Sequence, residues 1–395
     1  MYHSFTYYVP TKVVFGKDAE AETGRLTREF GGKCALVIYG GKSATRTGIL
    51  DRVVASLQEA GVEVHTLGGV VPNPRLSLVY RAIEMGKQHS VDFLIGIGGG
   101  SAIDTAKAAA YGLAEKEFDV WDLYAHTRKA RAALPVGAVL TISAAGSETS
   151  NSSVITNEET GEKRGYNDDL VRPKFAVMNP DLTSTLPDYQ TQSGCVDMMM
   201  HTMERYFTNG GNMEITDSIA EGLMRTVMEN ARILHRDPGN SEARAEVMWA
   251  GSLVHNDLTG CGARDRGDFA AHGLEHELGG MFDVTHGAGL AAIWPSWARY
   301  VYRDCLPRFV RFALNVMGVE KQATDEETAL AGIAAVEDFY RSIDMPTNMR
   351  ELGIEPDDAQ ILELARRAAE AAGGRKGSAK VLYEQDMAEI YRMAR

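Results

Sequence analysis

The order of strand-like and helix-like segments constrains this chain more than any other feature of its sequence. In the first half, short apolar runs at residues 33–39 (KCALVIY) and 91–97 (VDFLIGI) alternate with amphipathic helical patterns, for example at residues 47–60. Such alternation predicts a parallel sheet with helices on both faces, because parallel strands need crossover connections. Beyond residues 180–187 (PDLTSTLP) the β-branched runs disappear, and helical patterns continue to the end of the chain.

This change of pattern predicts two domains. We expect a Rossmann-like α/β domain over residues 1–184, and an all-helical domain over residues 185–395. The length of 395 residues is sufficient for two or three domains. Hydrophobic residues make up 44% and charged residues 24%, which is typical of a chain with a core to bury and excludes disorder as its main state.

Charge and cysteine usage exclude several classes of protein. The net charge of -13 disfavours a nucleic-acid partner, since phosphate binding needs a basic face. No uncharged apolar run reaches 18 residues, and the N-terminus does not resemble a secretory signal, so we expect neither a membrane span nor export. The four cysteines lie far apart without a CxxC pair, which argues against a disulfide framework or a thiolate zinc site. A cytoplasmic protein fits best.

The N-terminal segment alternates like a strand as far as Gly16. Tyr7 and Tyr8 lie within this segment. An edge strand of this kind pairs readily with a second chain, so a homodimer is expected.

Three consecutive glycines follow the apolar run at residues 91–97. Gly98, Gly99 and Gly100 precede Ser101, where a helical pattern begins, and we expect Ser101 to cap that helix with Asp104 completing a capping box. Glycines allow close approach to a ligand, and the N–H groups of a helix N-terminus favour an anion such as a nucleotide pyrophosphate. Ser101 departs from the usual dinucleotide fingerprint, and a glycine-rich turn without a ligand is the alternative.

The end of the first α/β strand bears on the choice between NAD and NADP. Gly41, Lys42 and Ser43 lie there, without the acidic residue that bonds ribose hydroxyls and repels a 2′-phosphate. This pattern favours NADP over NAD, with Lys42 and Ser43 binding the phosphate. A solvated lysine in a tight turn is the alternative.

Potential metal ligands cluster in two short segments of the second half. Asp197 and His201 are four residues apart in a helical pattern, which places them on one helix face. His272 and His276 have the same spacing, and His286 follows after the glycines at positions 279 and 280, where we expect the helix to end. A carboxylate and two or three imidazoles suit Fe(II) or Zn(II) and leave a position for a substrate oxygen. Each pair alone is more often a surface or capping pair.

Other residues near these segments suggest how the site is lined. Met198, Met199, Met200, Phe269 and Trp294 are apolar and favour a substrate with an apolar chain. The isolated histidines are expected to be structural or exposed, namely His65, His89 and His255.

Taken together, the motifs GGGSAIDTAK, DMMMH and HGLEHELGGMFDVTHG resemble those of the iron-containing (group III) alcohol dehydrogenase family. The surrounding GDFAAHGLEHEL and THGAGLAAIWPSWARY are most similar to its butanol dehydrogenase and broad aldehyde reductase branch. The resemblance covers essentially the whole chain. It implies a fold similar to that of dehydroquinate synthase, which agrees with the α/β and helical halves predicted above.

The resemblance also implies roles for individual residues. The metal would be bound by Asp197, His201, His272 and His286, whereas His276 would lie close to the nicotinamide. We expect His276 either to pass the substrate proton to solvent or only to pack against the nicotinamide ring. An imidazole suits proton transfer because it titrates in the working pH range.

On the cofactor side, the resemblance implies contacts from the pyrophosphate segment and from further residues: Gly99, Gly100, Ser101, Asp104, Asn73, Ser143, Ser147 and Lys163. The segment LTISAAGSETS departs from related sequences, because Ser143, Ala144 and Ala145 replace a run that contains a threonine. A hydroxyl contact at position 145 is therefore lost, and Ser143 and Ser147 are the candidates that remain.

The activity implied by the resemblance is hydride transfer between a nicotinamide and a primary alcohol or aldehyde, such as butanol or butanal. A glycerol or polyol dehydrogenase is the nearer alternative. A sugar-phosphate cyclase similar to dehydroquinate synthase is the more distant one, and it would need a basic pocket. Residues 197–202 and 272–289 contain no lysine or arginine, although Arg264 and Arg266 lie just upstream. A protein that only senses nucleotides or stores metal would not need both sites.

Overall fold

The computed structural model describes residues 2–211, 213–264 and 267–395; the side chains of Lys42 and Ser43 lie outside this description. Contacts divide the chain into two compact units. We call residues Tyr8–Leu186 the α/β unit, and residues 2–7 with Pro187–Arg395 the helical unit. The domains expected at 1–184 and 185–395 thus differ from these units mainly at the first seven residues.

The α/β unit is built on a six-stranded parallel sheet with strand order β1-β8-β5-β4-β2-β3. A separate antiparallel hairpin is formed by β6 and β7. The strands are β1 Lys12–Phe15, β2 Cys34–Gly40, β3 Glu63–Val70, β4 Phe93–Gly98, β5 Val136–Leu140, β6 Ser152–Asn157, β7 Glu162–Asn167 and β8 Phe175–Met178. The helices are α1 Thr23–Glu29, α2 Lys42–Arg46, α3 Ile49–Glu59, α4 Leu76–Gln88, α5 Gly100–Ala114 and α6 Trp121–Tyr124.

The continuous apolar runs predicted as strands are buried on both faces of this sheet. In β2, Leu36 and Ile38 pack in one core cluster, whereas Ala35 and Val37 pack in another. A strand with two covered faces needs apolar residues at every position, which explains the absence of alternation in KCALVIY. The parallel α/β fold predicted from the sequence is confirmed.

The N-terminal segment does not form the long strand expected from its alternation. Only Lys12–Phe15 is a strand, and it lies at the edge of the sheet beside β8. Tyr2 instead bridges Gly211 in the helical unit, and the His3 N–H bonds the Gly262 carbonyl there. The alternation therefore reflects an extended segment of which the last part, Lys12–Phe15, joins the sheet.

The helical unit contains, among its described residues, α7 Asp188–Tyr206, α8 Glu214–Arg236, α9 Ser241–Val254, α10 Ala270–Phe282, α11 His286–Val301, α12 Leu306–Asn315, α13 Asp325–Arg341, α14 Asp358–Ala371 and α15 Glu384–Ala394. Its core is one apolar cluster that draws on these helices. The prediction that α10 ends at Gly279 and Gly280 is wrong. The helix continues because Met281 and Phe282 pack against the core, and it ends at Asp283 in a left-handed conformation.

The described helices include none that is both long and apolar enough to cross a membrane. All four cysteines are free and buried, so they form no disulfide framework.

Candidate metal centre and dinucleotide site

Three helices of the helical unit bring the predicted metal ligands together. Asp197 and His201 lie one turn apart on α7, His272 lies in the first turn of α10, and His286 is the first residue of α11. Asp197, His201 and His272 are buried, and His286 is partly open to solvent. His272 and His286 thus each lie at the N-terminal end of their helix.

The three imidazoles converge on one carboxylate oxygen. The Nε2 atoms of His201, His272 and His286 lie 3.3, 3.7 and 3.7 Å from Oδ1 of Asp197. The ligand atoms of Asp197, His272 and His286 all lie within 4.8 Å of one another. Four side chains from distant parts of the sequence thus surround one small volume.

The donor atoms at this centre fit a bound cation. Oδ1 of Asp197 and Nε2 of His272 are buried without a hydrogen-bond partner. A buried polar atom without a partner costs free energy, and a metal ion would satisfy both atoms at once. One carboxylate with three imidazoles is a donor set that suits Fe(II) or Zn(II).

Two buried glutamates orient the imidazoles. Glu204 on α7 bonds Nδ1 of His272 and also accepts its backbone N–H at 3.1 Å, and Glu275 on α10 bonds Nδ1 of His286. Both glutamates are fully buried. Carboxylates that hold Nδ1–H direct Nε2 toward the metal and increase the basicity of the ligand. The sequence interpretation missed this pair, although Glu204 lies only three residues after His201 and Glu275 three after His272.

The pKa values of two ligands reflect the same arrangement. Burial lowers the pKa of His272, but the Glu204 and Asp197 carboxylates outweigh it and raise that pKa to about 9. Burial is also the main reason that the pKa of His201 lies well below its ordinary value, and nearby His255 and His272 add to the effect. The two carboxylates thus make His272 a more basic imidazole and favour a positive charge at the centre.

Two further histidines lie beside the centre. His276 is half-buried, with its ring centroid 5.8 Å from that of His286 and 6.4 Å from that of His272. His255 lies 3.9 Å, centroid to centroid, from His201. His255 thus lies beside a proposed ligand, which is compatible with the structural role expected of it. It follows the end of α9, where the helical pattern gave no sign of a neighbouring ligand.

Most of the apolar residues expected around a substrate belong to the core instead. Met198, Met199, Met200 and Trp294 are fully buried within the core cluster of the helical unit. Phe269 differs, because it is half-buried and its ring lies 5.7 Å from that of His272. It has a left-handed backbone with φ of 53°, which is rare for a bulky residue and marks local constraint.

In the α/β unit, the glycine turn joins β4 to α5. The helix begins at Gly100, and its N-cap is Gly99 without a side-chain hydrogen bond, so the prediction that Ser101 caps the helix is wrong. Asp104 does not form a capping box either. Its carboxylate accepts hydrogen bonds from the Ser147 hydroxyl at 2.6 Å and the Val154 N–H at 2.9 Å. A helix N-terminus without a side-chain cap keeps its N–H groups available for an anion.

The turn has no room for a side chain at its second glycine. A Cβ on Gly99 would lie 2.9 Å from Cβ of Ile142, so the backbone at this point packs directly against its neighbour. Gly41 is exposed at the end of β2. The backbones of Lys42 and Ser43 begin α2, but the predicted phosphate contacts of their side chains lie outside the described residues.

The remaining cofactor candidates differ in what their side chains do. The Ser143 hydroxyl is buried without a hydrogen-bond partner, as expected of a group that contacts a ligand. The Ser147 hydroxyl instead donates to Asp104 and accepts from Lys107, so its hydrogen bonds are formed within the protein. Lys163 is buried on β7, and Asn73 is buried with a left-handed φ of 53°.

Comparison with known proteins identifies the family. The model of the iron-containing alcohol dehydrogenases matches residues 10–180, and the model of the family's C-terminal domain matches residues 191–395. The chain belongs to the iron-containing alcohol dehydrogenase family. The resemblance drawn from the motifs is confirmed, and the chain is an oxidoreductase rather than a cyclase.

Relatives within this family match over nearly their full length. The chain is 39% identical to NADH-dependent butanol dehydrogenase A of Clostridium acetobutylicum, over 98% of this chain and 99% of that protein. It is 34% identical to the NADPH-dependent aldehyde reductase YqhD of Escherichia coli, over 93% of each. The crystal structure of NADH-dependent butanol dehydrogenase A from Thermotoga maritima matches with a TM-score of 0.95 at 37% identity, covering 99% of this chain and 98% of that chain.

Proposed function

We propose that this enzyme interconverts primary alcohols and aldehydes of about the size of butanol and butanal, with a nicotinamide cofactor and one divalent metal. The observation that carries the proposal is the convergence of three imidazole Nε2 atoms on Oδ1 of Asp197. The names of the butanol dehydrogenase and aldehyde reductase relatives support the substrate class.

Asp197, His201, His272 and His286 would hold the metal, either Fe(II) or Zn(II). When bound, such an ion supplies Lewis acidity that polarises an alcohol or carbonyl oxygen. The protein's own part is to fix the ligands, and Glu204 and Glu275 do so by holding the Nδ1 atoms of two imidazoles. His286 is the ligand most open to solvent, so the substrate would approach on its side.

The glycine turn before α5 would bind the cofactor pyrophosphate, with the unpartnered Ser143 hydroxyl as a further contact. The end of β2 lacks an acidic residue, which favours acceptance of the 2′-phosphate of NADPH. We therefore propose that NADPH is used in preference to NADH. The names of the relatives include both cofactors.

His276 is our candidate for the group that exchanges the substrate proton with solvent. It is half-buried and lies next to His286 and His272 without belonging to the set that converges on Asp197. The side chain of Phe269 would contact the apolar chain of the substrate, because it is the half-buried ring beside the centre.

Two broader expectations also remain proposals. Four free, buried cysteines fit a reducing compartment such as the cytoplasm. A homodimer is consistent with the edge position of β1, whose second side is not paired in the sheet.

The deciding experiment measures oxidation of NADPH and NADH with butanal, before and after chelation, with Fe(II) or Zn(II) added back. We expect turnover that chelation abolishes and metal restores, with a higher kcat/KM for NADPH. Turnover with glycerol but not with butanol would favour a polyol dehydrogenase. Turnover that survives complete removal of metal would overturn the assigned role of the centre.

A further inference from the structure

A wholly buried lysine lies behind the proposed cofactor site. Lys107 is on α5, two helical turns after Gly100, and its side chain has no exposure to solvent. Burial lowers the pKa of Lys107 to about 8, so at neutral pH most of the protein carries an ammonium group here. A charge is seldom buried unless its hydrogen-bonding capacity is used, so its acceptors indicate what it does.

All the hydrogen bonds of this ammonium group go to residues 147–152, which lie within the segment 143–154 that follows β5. Its Nζ lies 2.7, 3.0 and 2.7 Å from the carbonyl oxygens of Ser147, Ser150 and Ser152. It also lies 2.9 and 3.4 Å from the hydroxyls of Ser147 and Ser150. Residues 147–150 are buried but belong to neither helix nor strand, so side chains must help to satisfy their backbone.

A second residue on the same face of α5 binds the same segment. Asp104, three residues before Lys107, accepts hydrogen bonds from the Ser147 hydroxyl and from the Val154 N–H. The Asp104 carbonyl also accepts one from the Ser153 hydroxyl at 3.1 Å. One turn of α5 thus fixes both the beginning and the end of the segment.

The segment in turn borders the N-terminus of α5. A Cβ added to Gly100 would lie 3.7 Å from Cβ of Ala145 and 4.0 Å from Cβ of Ser147. The buried, unpartnered Ser143 hydroxyl lies just before this point in the chain. The position of residues 143–147 therefore determines one wall of the volume that faces the first N–H groups of the helix.

We propose that Lys107 is a positioning residue for the nicotinamide cofactor, which holds residues 143–152 against the N-terminus of α5 so that the pyrophosphate site exists before the cofactor binds. The inference rests on the cofactor site of the proposed function. Preorganisation of this kind raises affinity because the cofactor does not have to order the loop itself. Lys107 acts through its hydrogen bonds within the protein, and its role does not require contact with the cofactor.

The test is the Kd for NADH of the metal-loaded protein, measured by fluorescence without aldehyde, for the wild type and for Lys107→Met. We expect Kd to increase at least tenfold in the variant, while metal content, the KM for butanal and kcat at saturating cofactor stay within about twofold. The control is Tyr111→Phe, which changes another buried polar group of α5 whose hydroxyl has no hydrogen-bond partner. Its Kd should match that of the wild type. An unchanged Kd in Lys107→Met, or a lower kcat at unchanged Kd, would overturn the inference.

A second measurement uses only the wild-type chain, in case Lys107→Met does not fold. Asp104, Glu148 and Arg172 are the charged groups that act on Lys107, and the pKa of about 8 lies below the ordinary lysine value of 10.5. The ammonium group is present below pH 8 and is lost above it, so Kd for NADH should increase at least threefold between pH 7 and pH 9. A constant Kd over this range would overturn the inference. Failure of the wild type to bind any nicotinamide cofactor would instead overturn the proposed function, and this inference with it.

Discussion

The proposed metal centre and the proposed dinucleotide site differ in which groups face the ligand and in whether those groups already have hydrogen-bond partners. At the proposed metal centre, one carboxylate and three imidazoles surround one small volume, and Oδ1 of Asp197 and Nε2 of His272 lack hydrogen-bond partners there. At the proposed dinucleotide site, the N-terminus of α5 offers backbone N–H groups, and side chains such as Lys107 and Asp104 form hydrogen bonds within the protein behind it. A cation would complete the first site, whereas we propose that the second is built in advance. Variants should therefore separate metal binding from cofactor binding.

The largest effect is expected from Asp197→Asn. This change removes the only carboxylate among the four proposed ligands, and we expect metal affinity to fall by more than about 100-fold, since loss of an outer partner alone costs about 10–100-fold. Metal content by elemental analysis and turnover with butanal should fall together, with Kd for NADH unchanged. Asp188→Asn on the same helix is the control, because Asp188 pairs with His235 instead. Retention of metal by Asp197→Asn would contradict the ligand assignment.

Glu204→Gln should weaken the same site less. The variant loses the carboxylate that orients His272, so we expect a loss of about 10–100-fold in metal affinity that excess metal partly rescues. Titration with Zn(II) in a competing chelator measures the effect. Glu221→Gln serves as the control, since Glu221 is a buried glutamate that pairs with Arg311. Equal metal affinity in Glu204→Gln and the wild type would show that Glu204 does not support the ligand.

Gly99→Ala tests the other side of the comparison. The added Cβ would lie 2.9 Å from Cβ of Ile142, and overpacking of this kind costs about 1–3 kcal/mol. We expect the KM for the cofactor to rise about tenfold with unchanged metal content, as measured by steady-state kinetics and elemental analysis. Gly222→Ala on α8, where an added Cβ meets no atom within 4 Å, should leave both unchanged. A loss of metal in Gly99→Ala would break the separation of the two sites.

The smallest effect is expected from Phe269→Ala. If its ring contacts the substrate chain, kcat/KM for butanal should fall about three- to tenfold, because apolar contact area is lost. Acetaldehyde has a shorter chain and should lose less. The ratio of kcat/KM for the two aldehydes measures the effect, and an unchanged ratio would exclude Phe269 from the substrate site.

The sequence predicted the fold and the candidate metal ligands because both leave a pattern along the chain. Strands covered on both faces give continuous apolar runs, and ligands one helical turn apart give Asp197 with His201. Glu204 and Glu275 were missed because a buried glutamate on a helix resembles a solvated one until the partner helix is placed. The contact of His255 with His201 could not be foreseen either, since it joins the end of α9 to α7.

The predictions about helix ends failed where tertiary packing outweighs local preference. Ser101 has the right residue type for an N-cap, but the N-cap is Gly99, two residues earlier, and Asp104 binds the segment after β5 instead. Gly279 and Gly280 suggest a helix end, yet burial of Met281 and Phe282 extends α10. The support given by Lys107 could not be seen either, because its acceptors are backbone carbonyls about 40 residues away.

The helical unit is formed by two separate parts of the sequence, residues 2–7 and Pro187–Arg395, and the α/β unit lies between them in the sequence. Domains generally fold as units during synthesis, the N-terminal one first. The whole α/β unit, with its prearranged nucleotide turn, is therefore translated before Asp197, the first proposed ligand. His286, the last one, emerges some 90 residues later, so the nascent chain would be ready for its dinucleotide well before it could retain a metal ion.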